Sequence, residues 1–312
     1  MGNFNINIST TDVENQYNQE KVVFKPKTSF DLKNYLNARL AQNETTKTLT
    51  IRLLPFEPDG GSPFHKVYMH QVRVNSEVAP SGWKTFPCPK ANHISDKCPF
   101  CEATEAVKKE KAKTIDEAKK RQLDDAEKAT RPKKMWIVRC IERGAEDDGA
   151  KFWLISNVTY ESIMALYNQR MESAKAKGRV NNIFDLNEGK DLYITLSRDG
   201  VKTKINIADD DEKTPLSDDY DKAIGWINDP KKWTDVYTTK SYDYMEVILG
   251  GGVPRFDKDL GRYVDKEEYQ ARQNGGVPEQ GESNTAVIEE MDTVFGDVKN
   301  NDNIESVDSL PF

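Results

Sequence analysis

The sequence has few of the residues that mark secreted or membrane proteins. Its 312 residues include only four cysteines, three of them within fourteen positions, which is not the pattern of a disulfide framework. No apolar run approaches the ~20 residues that a membrane span needs. The first sixteen residues have neither a basic start nor an apolar stretch, which argues against a secretory signal. Hydrophobic residues make up 37% and charged residues 31%, so part of the chain is expected to be solvated.

The acidic charge is concentrated near the end of the sequence. The net charge is −7, but residues 279–312 alone carry nine acidic side chains and one basic one, a net of −8. The remainder is therefore close to neutral at +1, and it can still present a basic groove if its charges are sorted onto faces. Because periodicity thins beyond about Pro254, residues 256–312 are predicted to form an acidic, partner-binding tail, which is expected to be disordered past Asn274.

Hydrophobic periodicity predicts a mixed β fold with helices. Residues 28–43 have apolar side chains at roughly helical spacing, which predicts a helical N-terminal arm within residues 1–45. The charged stretch 102–130 is typical of an exposed helix. Alternating or β-branched runs predict strands at 47–56, 65–74, 135–142, 151–158 and a hairpin over 191–207. Short strands with turns between them fit a small Greek-key barrel, such as an OB-fold, over residues 46–255, and they would also fit other small β folds.

Three cysteines form a candidate metal cluster. The run Cys98-Pro99-Phe100-Cys101 has the C-x-x-C spacing that directs two thiolates at one ion, and Cys88 supplies a third sulfur from ten residues earlier. Cys140 alternates within a predicted strand and is more simply a small buried hydrophobe. The cluster therefore predicts a zinc ion that needs one further ligand.

A histidine is the best candidate for that fourth ligand. His93 lies between two of the cysteines in sequence, whereas His70 lies on the preceding predicted strand, and spacing alone does not decide between them. No H-E-x-x-H pattern occurs and nothing marks a general base, so a structural site is favoured over a catalytic one. The chain is accordingly not expected to be an enzyme.

Three segments carry a resemblance to a known family. IRLLPFEPDGGSPFHKVYMHQV, GWKTFPC followed by HISDKCPFC, and KPKTS at residues 25–29 resemble segments of the helix-destabilising, single-stranded-DNA-binding proteins of T-even-type bacteriophages, the gene 32 product family. The resemblance covers roughly residues 25–210 in order. It implies an OB-fold with a zinc subdomain at about residues 65–105, one structural Zn2+ and His70 as the fourth ligand.

The resemblance also implies an activity and partners. It implies sequence-independent, cooperative binding of single-stranded DNA during phage DNA replication, recombination and repair, in the cytoplasm of the infected bacterial host and without catalysis. Copies of the protein would contact each other along the strand through the N-terminal arm, and phage replication and recombination proteins would bind the acidic tail. The implied self-association residues are Lys25, Lys27, Thr28 and Ser29.

Single-strand binding needs cations for phosphates and aromatic faces for bases. Phe152 and Trp153 are adjacent on a predicted strand, so they should point to opposite faces, with only one of them in the core. The candidate cations are Arg52, Lys66, Arg73, Lys84, Arg131, Lys133, Lys134 and Arg139. The candidate stacking residues are Tyr68, Trp83, Phe86, Trp136, Phe152, Trp153 and Tyr193.

The last nine residues, IESVDSLPF, resemble the acidic tip of bacterial single-stranded-DNA-binding proteins, whose terminal Phe docks on replication partners. Asp308, Leu310, Pro311 and Phe312 are therefore candidate partner-binding residues, although a merely solubilising end is an equal alternative.

The main alternative for the function of the whole chain is a zinc-ribbon module that binds double-stranded DNA or RNA in transcription. A zinc hydrolase and a phage scaffold protein are weaker rivals.

Overall fold

The computed structural model describes residues 34–41, 43–58, 61–179, 181–200 and 202–274, all of which belong to one compact unit. The predicted self-association residues at 25–29 and the partner-binding residues at 308–312 lie outside this range. Within it, no helix is long and apolar enough to span a membrane.

Seven strands form one antiparallel sheet, and two more form a separate hairpin. The sheet strands are β1 (Thr46–Leu54), β2 (Phe64–Arg73), β3 (Trp83–Pro87), β4 (Lys133–Glu142), β5 (Lys151–Ile155), β6 (Leu192–Asp199) and β7 (Lys202–Asp209). Their order is β3-β2-β4-β1-β6-β7, with β5 paired to β4, and the hairpin consists of β8 (Pro254–Asp257) and β9 (Arg262–Asp265).

Helices connect and flank these strands. They are α1 (Pro99–Lys113), α2 (Glu117–Thr130), α3 (Asn157–Lys175), α4 (Tyr220–Ile227), α5 (Trp233–Val236), α6 (Tyr242–Leu249) and α7 (Lys266–Gln273). The predicted single helix at 102–130 is thus a pair, α1 and α2, joined by a short turn in which the Asp116 carboxylate accepts the Ala118 amide at 2.8 Å.

Strand β4 curls the sheet. Its first half pairs with β2 and its second half pairs with β1, while β5 lies along the opposite edge. Because β2 and β1 pair with successive halves of the same edge of β4, the sheet bends into an antiparallel half-barrel. The predicted mixed β fold with helices is confirmed at this level.

Strand β5 is covered on both faces. Phe152 packs with Val67 and Ile137 on one side, and Trp153 packs with Ile163 and other core residues on the other. Phe152 is 2% exposed and Trp153 is 4% exposed. The expectation that only one of this pair is in the core is therefore wrong, and neither side chain is available to stack on a base.

The predicted helical arm is wrong where the structure describes it. Residues 35–41 are not helical: the Leu36 amide donates to the Phe152 carbonyl at 2.9 Å, and Tyr35 forms an isolated bridge to the same residue. The β5 backbone offers this segment a hydrogen-bond partner, and that tertiary contact overrides the helical spacing of its apolar residues.

The predicted start of the tail at residue 256 is also wrong, because β8, β9 and α7 extend the folded region to Asn274. The Asp257 carboxylate accepts the Asp259 and Leu260 amides and closes the hairpin turn, and the Asp265 carboxylate accepts the Lys266 amide at the start of α7. These two carboxylates thus cap a turn and a helix start within the segment that the sequence assigned to the tail.

Candidate metal centre and nucleic-acid interface

Four side chains from three elements converge on one point. His70 lies on β2, Cys88 follows β3, and Cys98 and Cys101 lie at the start of α1. One ligand atom from each of them falls within 4.8 Å of all the others, so the group could hold a metal ion. All four residues are at most 8% exposed.

The separations are those of a tetrahedral site. The Sγ atoms of Cys88 and Cys101 are 3.4 Å apart, and His70 Nε2 lies 3.3 Å from Cys98 Sγ and 3.9 Å from Cys101 Sγ. Bond lengths of about 2.3 Å to sulfur and 2.0–2.1 Å to nitrogen place tetrahedral ligands roughly 3.8 Å apart for two sulfurs and roughly 3.6 Å apart for sulfur and nitrogen. An ion therefore fits with small shifts of the side chains.

His70 is oriented by a hydrogen bond on its far side. Its Nδ1 lies 2.9 Å from the carbonyl oxygen of Thr130, the last residue of α2. If Nδ1 carries the proton, as that acceptor requires, Nε2 presents a lone pair to the cysteines. His93 is exposed, has a φ of 56°, and does not belong to the cluster. Of the two histidines that spacing left open, His70 is the one at the site.

Asn92, which no sequence pattern singled out, holds the Cys88 turn in place by hydrogen bonds. Its side-chain amide donates to the carbonyls of Tyr68 and Cys88 at 2.7 and 2.9 Å, and its Oδ1 accepts the Tyr68 amide at 2.9 Å. The Ala91 amide also donates to Cys88 Sγ at 3.3 Å. These contacts fix the turn that carries Cys88 against β2.

The thiols share their protons unequally. Hydrogen bonds from Cys101 and Cys98 lower the pKa of Cys88, whereas hydrogen bonding with Cys88 and Cys98 raises the pKa of Cys101. The cluster thus gives up a first proton readily and resists a second negative charge, which a bound dication would offset. Cys140 is fully buried elsewhere in the core, where burial raises its pKa, and its prediction as a structural hydrophobe is confirmed.

Five of the predicted DNA-contacting residues lie on one face of the sheet. Strand register pairs Lys66 with Trp136 and Tyr68 with Lys134 across β2 and β4, and residues paired in this way share a face. Lys84 on β3 pairs with Val72, which lies on the same face as Tyr68. We call these five residues, Lys66, Tyr68, Lys84, Lys134 and Trp136, the basic–aromatic surface.

On this surface two of the lysines each lie close to a half-exposed ring. Lys66 Nζ and Lys134 Nζ are each 5.9 Å from a ring centre, that of Tyr68 and of Trp136 respectively. Both rings are half-exposed, and both lysines are exposed. Tyr68 also packs on the hydrophobic cluster that includes the cysteines, so the candidate metal centre lies directly beside this surface.

An aromatic cavity adjoins the surface. Trp136 stacks on Tyr160 with ring centres 3.9 Å apart, and Tyr160 in turn contacts Phe64 edge to face at 5.0 Å. A cavity of about 500 Å³ is lined by Phe64, Tyr160, Tyr167 and Phe184, among others. Phe64 and Tyr160 were not predictable as aromatics of this surface, because their partners come from distant segments.

Two predicted DNA-binding arginines are internal and must be corrected. Arg52 is 0% exposed, with Nη1 3.2 Å from Asp191 Oδ1 and a further hydrogen bond to the Thr214 carbonyl. Arg139 is 2% exposed and donates to the Trp226 carbonyl at 2.7 Å. Their guanidinium groups satisfy carbonyls and a carboxylate in the core and cannot reach a phosphate.

The remaining candidates lie apart from the basic–aromatic surface. By strand alternation, Arg73, Trp83 and Lys133 lie on the opposite face of the sheet, where Lys133 donates to Gln71 Oε1 at 3.0 Å. Tyr193, on β6, donates its hydroxyl to Asp210 at 2.6 Å. Phe86 is 2% exposed and packs beside His70, whereas Arg131 is exposed just after α2.

No protein-family model matches this sequence, and no curated protein matches it significantly.

Proposed function

We propose that this protein binds single-stranded DNA without sequence preference and without catalysis, and that it carries one structural zinc ion. The observation that carries the proposal is the basic–aromatic surface, on which lysines and half-exposed rings from three neighbouring strands share one face. Cations that can neutralise phosphates beside rings that can receive bases are the two components of single-strand recognition.

The exposed rings favour a single strand over a duplex. Bases in a duplex are stacked on one another, so a duplex offers no free base face to stack on the rings of Tyr68 and Trp136. Unpaired bases can stack on these rings at about 1–3 kcal/mol each, whatever the base. The curled antiparallel half-barrel is compatible with an OB-like fold, which binds oligonucleotides on a sheet face, and we propose that the sheet is of this kind.

The resemblance to the phage gene 32 product family supports the same function. On this proposal the protein acts in replication, recombination and repair of phage DNA in the host cytoplasm. Copies bind cooperatively through residues 25–29, and the acidic tail contacts other replication proteins.

Zinc is the metal that suits the donor set. Three thiolates and one imidazole at these separations make a closed tetrahedral set, which leaves no open position for a catalytic water. Bound there, the ion would supply cross-links among its ligands, and no reaction. His70, Cys88 and the α1 cysteines would tie β2, β3 and α1 together, and β2 and β3 carry Lys66, Tyr68 and Lys84.

Competition binding tests the proposal. The full chain is titrated into a fluorescent dT oligonucleotide, and unlabelled dT, duplex DNA of equal length and U oligomers compete at matched salt. We expect the single-stranded DNA to compete far more strongly than the duplex. Equal competition by the duplex, or a preference for it, would support a zinc-ribbon module and overturn the proposal. A strong preference for U oligomers would indicate that the protein binds single-stranded RNA instead of DNA.

A further inference from the structure

Tyr244 on α6 has two lysines beside its ring. Lys84 Nζ, from β3, lies 5.6 Å from the ring centre, and Lys240 Nζ, from the residues just before α6, lies 5.9 Å from it. Tyr244 also packs on the hydrophobic cluster around the cysteines and contacts Tyr263 edge to face. The ring therefore has a fixed position to which two ammonium groups from separate segments converge.

In the part of the chain that the structure describes, these two lysines differ from the buried Lys151 in having no anionic partner. Lys151, which is 5% exposed, lies 2.6 Å from Glu142 and 3.0 Å from Asp148. Among the described residues, no ion pair and no hydrogen bond involves the ammonium group of Lys84 or Lys240, although both side chains are only half-exposed. The pair is thus a local excess of positive charge.

The positive charge of these two lysines destabilises the protein when no anion is bound. Burial lowers the pKa of both lysines, and the charge of Lys84 lowers the pKa of Lys240 further. Two partly desolvated ammonium groups that repel each other destabilise the fold unless an anion joins them. A site of this kind is typical of binding rather than of stability.

We propose that Lys84 and Lys240 together bind one backbone phosphate of the single strand beside Tyr244, so that the DNA path continues from β2 and β3 onto α6. This inference rests on the function proposed above. Lys84 and Tyr68 share a sheet face, with the buried pair His70 and Phe86 between them, and Lys84 and Lys240 both lie beside the Tyr244 ring. A phosphodiester carries one negative charge shared by two non-bridging oxygens, and each oxygen can accept a hydrogen bond from one of the two ammonium groups.

The test replaces both lysines with methionine, which keeps the apolar stem and removes the charge. For the full-length variant Lys84→Met with Lys240→Met, affinity for a dT oligonucleotide is measured over a series of salt concentrations. We expect the slope of log K against log salt to decrease in magnitude by about 0.7 for the phosphate lost. We also expect the free variant to melt at the same or a higher temperature.

Two further variants make the result specific. Lys202→Met removes an exposed lysine from β7, at the opposite end of the sheet order, and should leave the slope unchanged. Lys84→Arg with Lys240→Arg keeps both charges and should keep the wild-type slope.

The outcomes separate this inference from the proposed function. If the unaltered protein binds dT and the methionine variant has the same slope, the inference is overturned and the function stands. A lower melting temperature with unchanged binding would likewise make the pair structural. If the salt slope of the arginine variant decreases as much as that of the methionine variant, loss of positive charge does not cause the decrease and the inference fails. If the unaltered protein does not bind dT, the function itself fails.

Discussion

The Nδ1 of His70 and the backbone carbonyl of Thr130 are 2.9 Å apart, and this contact joins the metal cluster to the α1–α2 hairpin. Thr130 is itself held in place, because its hydroxyl oxygen accepts from Thr104 on α1 at 2.9 Å. The same contact fixes which ring nitrogen of His70 is free to bind the ion. The highly charged hairpin is therefore part of the metal centre and not only a solvated projection.

The four cluster residues should be required for metal retention. We expect Cys98→Ser and His70→Ala to lose the ion and several kcal/mol of stability, which lowers Tm by roughly 10 °C or more, because binding energy at a structural site is folding energy. Zinc content by mass spectrometry and thermal melts with and without chelator measure both effects.

The control for His70→Ala is His93→Gly, because His93 has a φ of 56° and alanine there would add strain of its own. Full zinc content is expected in this variant. Zinc loss from His93→Gly, together with retention by His70→Ala, would reverse the ligand assignment.

Asn92 should affect metal release without being a ligand. Asn92→Ala removes two hydrogen bonds between the Cys88 turn and Tyr68 on β2 and one within the turn, to the Cys88 carbonyl, at about 1 kcal/mol each. Loss of support behind metal ligands typically costs about 10- to 100-fold in affinity. We expect faster zinc transfer to a chromogenic chelator and a stability loss of about 3 kcal/mol. Wild-type transfer rates would show that the turn holds Cys88 without this side chain.

The candidate metal ligands were predictable because their chemistry is local. The C-x-x-C spacing and a third nearby cysteine are visible within fourteen residues, and strands β1 and β2 follow from alternation and β-branched content. The choice of His70 over His93 was not available from spacing, because it depends on β2 pairing with β3 and on the end of α2 reaching the ring.

The arginines show where sequence reasoning fails. Arg52 is indistinguishable from a DNA-binding arginine in a strand pattern, and its burial depends on Asp191 and Thr214, which are 139 and 162 residues away. Lys240 and Tyr244 escaped notice for the same reason, since only the packing of α6 beside β3 brings them to Lys84. Long-range partners decide which cations are internal.

Arg52 should be needed for stability and not for DNA contact. Arg52→Met leaves the Asp191 carboxylate with Arg143 alone and leaves the Thr214 carbonyl without this donor, at a cost of about 3 kcal/mol. Chemical denaturation should report this loss, while dT affinity of the folded variant stays at the wild-type value. A stable variant with weakened DNA binding would show that Arg52 is a contact residue after all.

Trp136 and Trp83 should differ because they lie on opposite faces of the sheet. Trp136→Leu keeps an apolar but smaller side chain and removes a stacking face, so we expect dT affinity to fall by about 1–3 kcal/mol. Trp83→Leu is the matched control and should bind normally. Equal losses in both variants, at equal melting temperatures, would contradict the assignment of the DNA to the face of Trp136.

As the pH is raised, DNA affinity should begin to fall at a lower pH than it would if Lys84 and Lys240 had their ordinary pKa. Burial lowers the pKa of Lys84 and Lys240 from 10.5, so their charged forms are lost at a lower pH and phosphate attraction falls there. The unfolded chain binds these protons more tightly, so their contribution to stability rises as pH rises through the same window. Affinity and Tm measured together across this range should move in opposite directions. The methionine double variant should lack this early loss of affinity.

Photo-crosslinking tests the central claim most directly. A dT oligonucleotide carrying 5-iododeoxyuridine at successive positions is irradiated with the full-length protein, and the attached residues are identified by peptide mass spectrometry. Cross-links should form at Tyr68, Trp136 and Tyr244, and a duplex of the same length should give few. Cross-links at Trp83 on the opposite face, or equal yields with single-stranded and duplex DNA, would contradict the account.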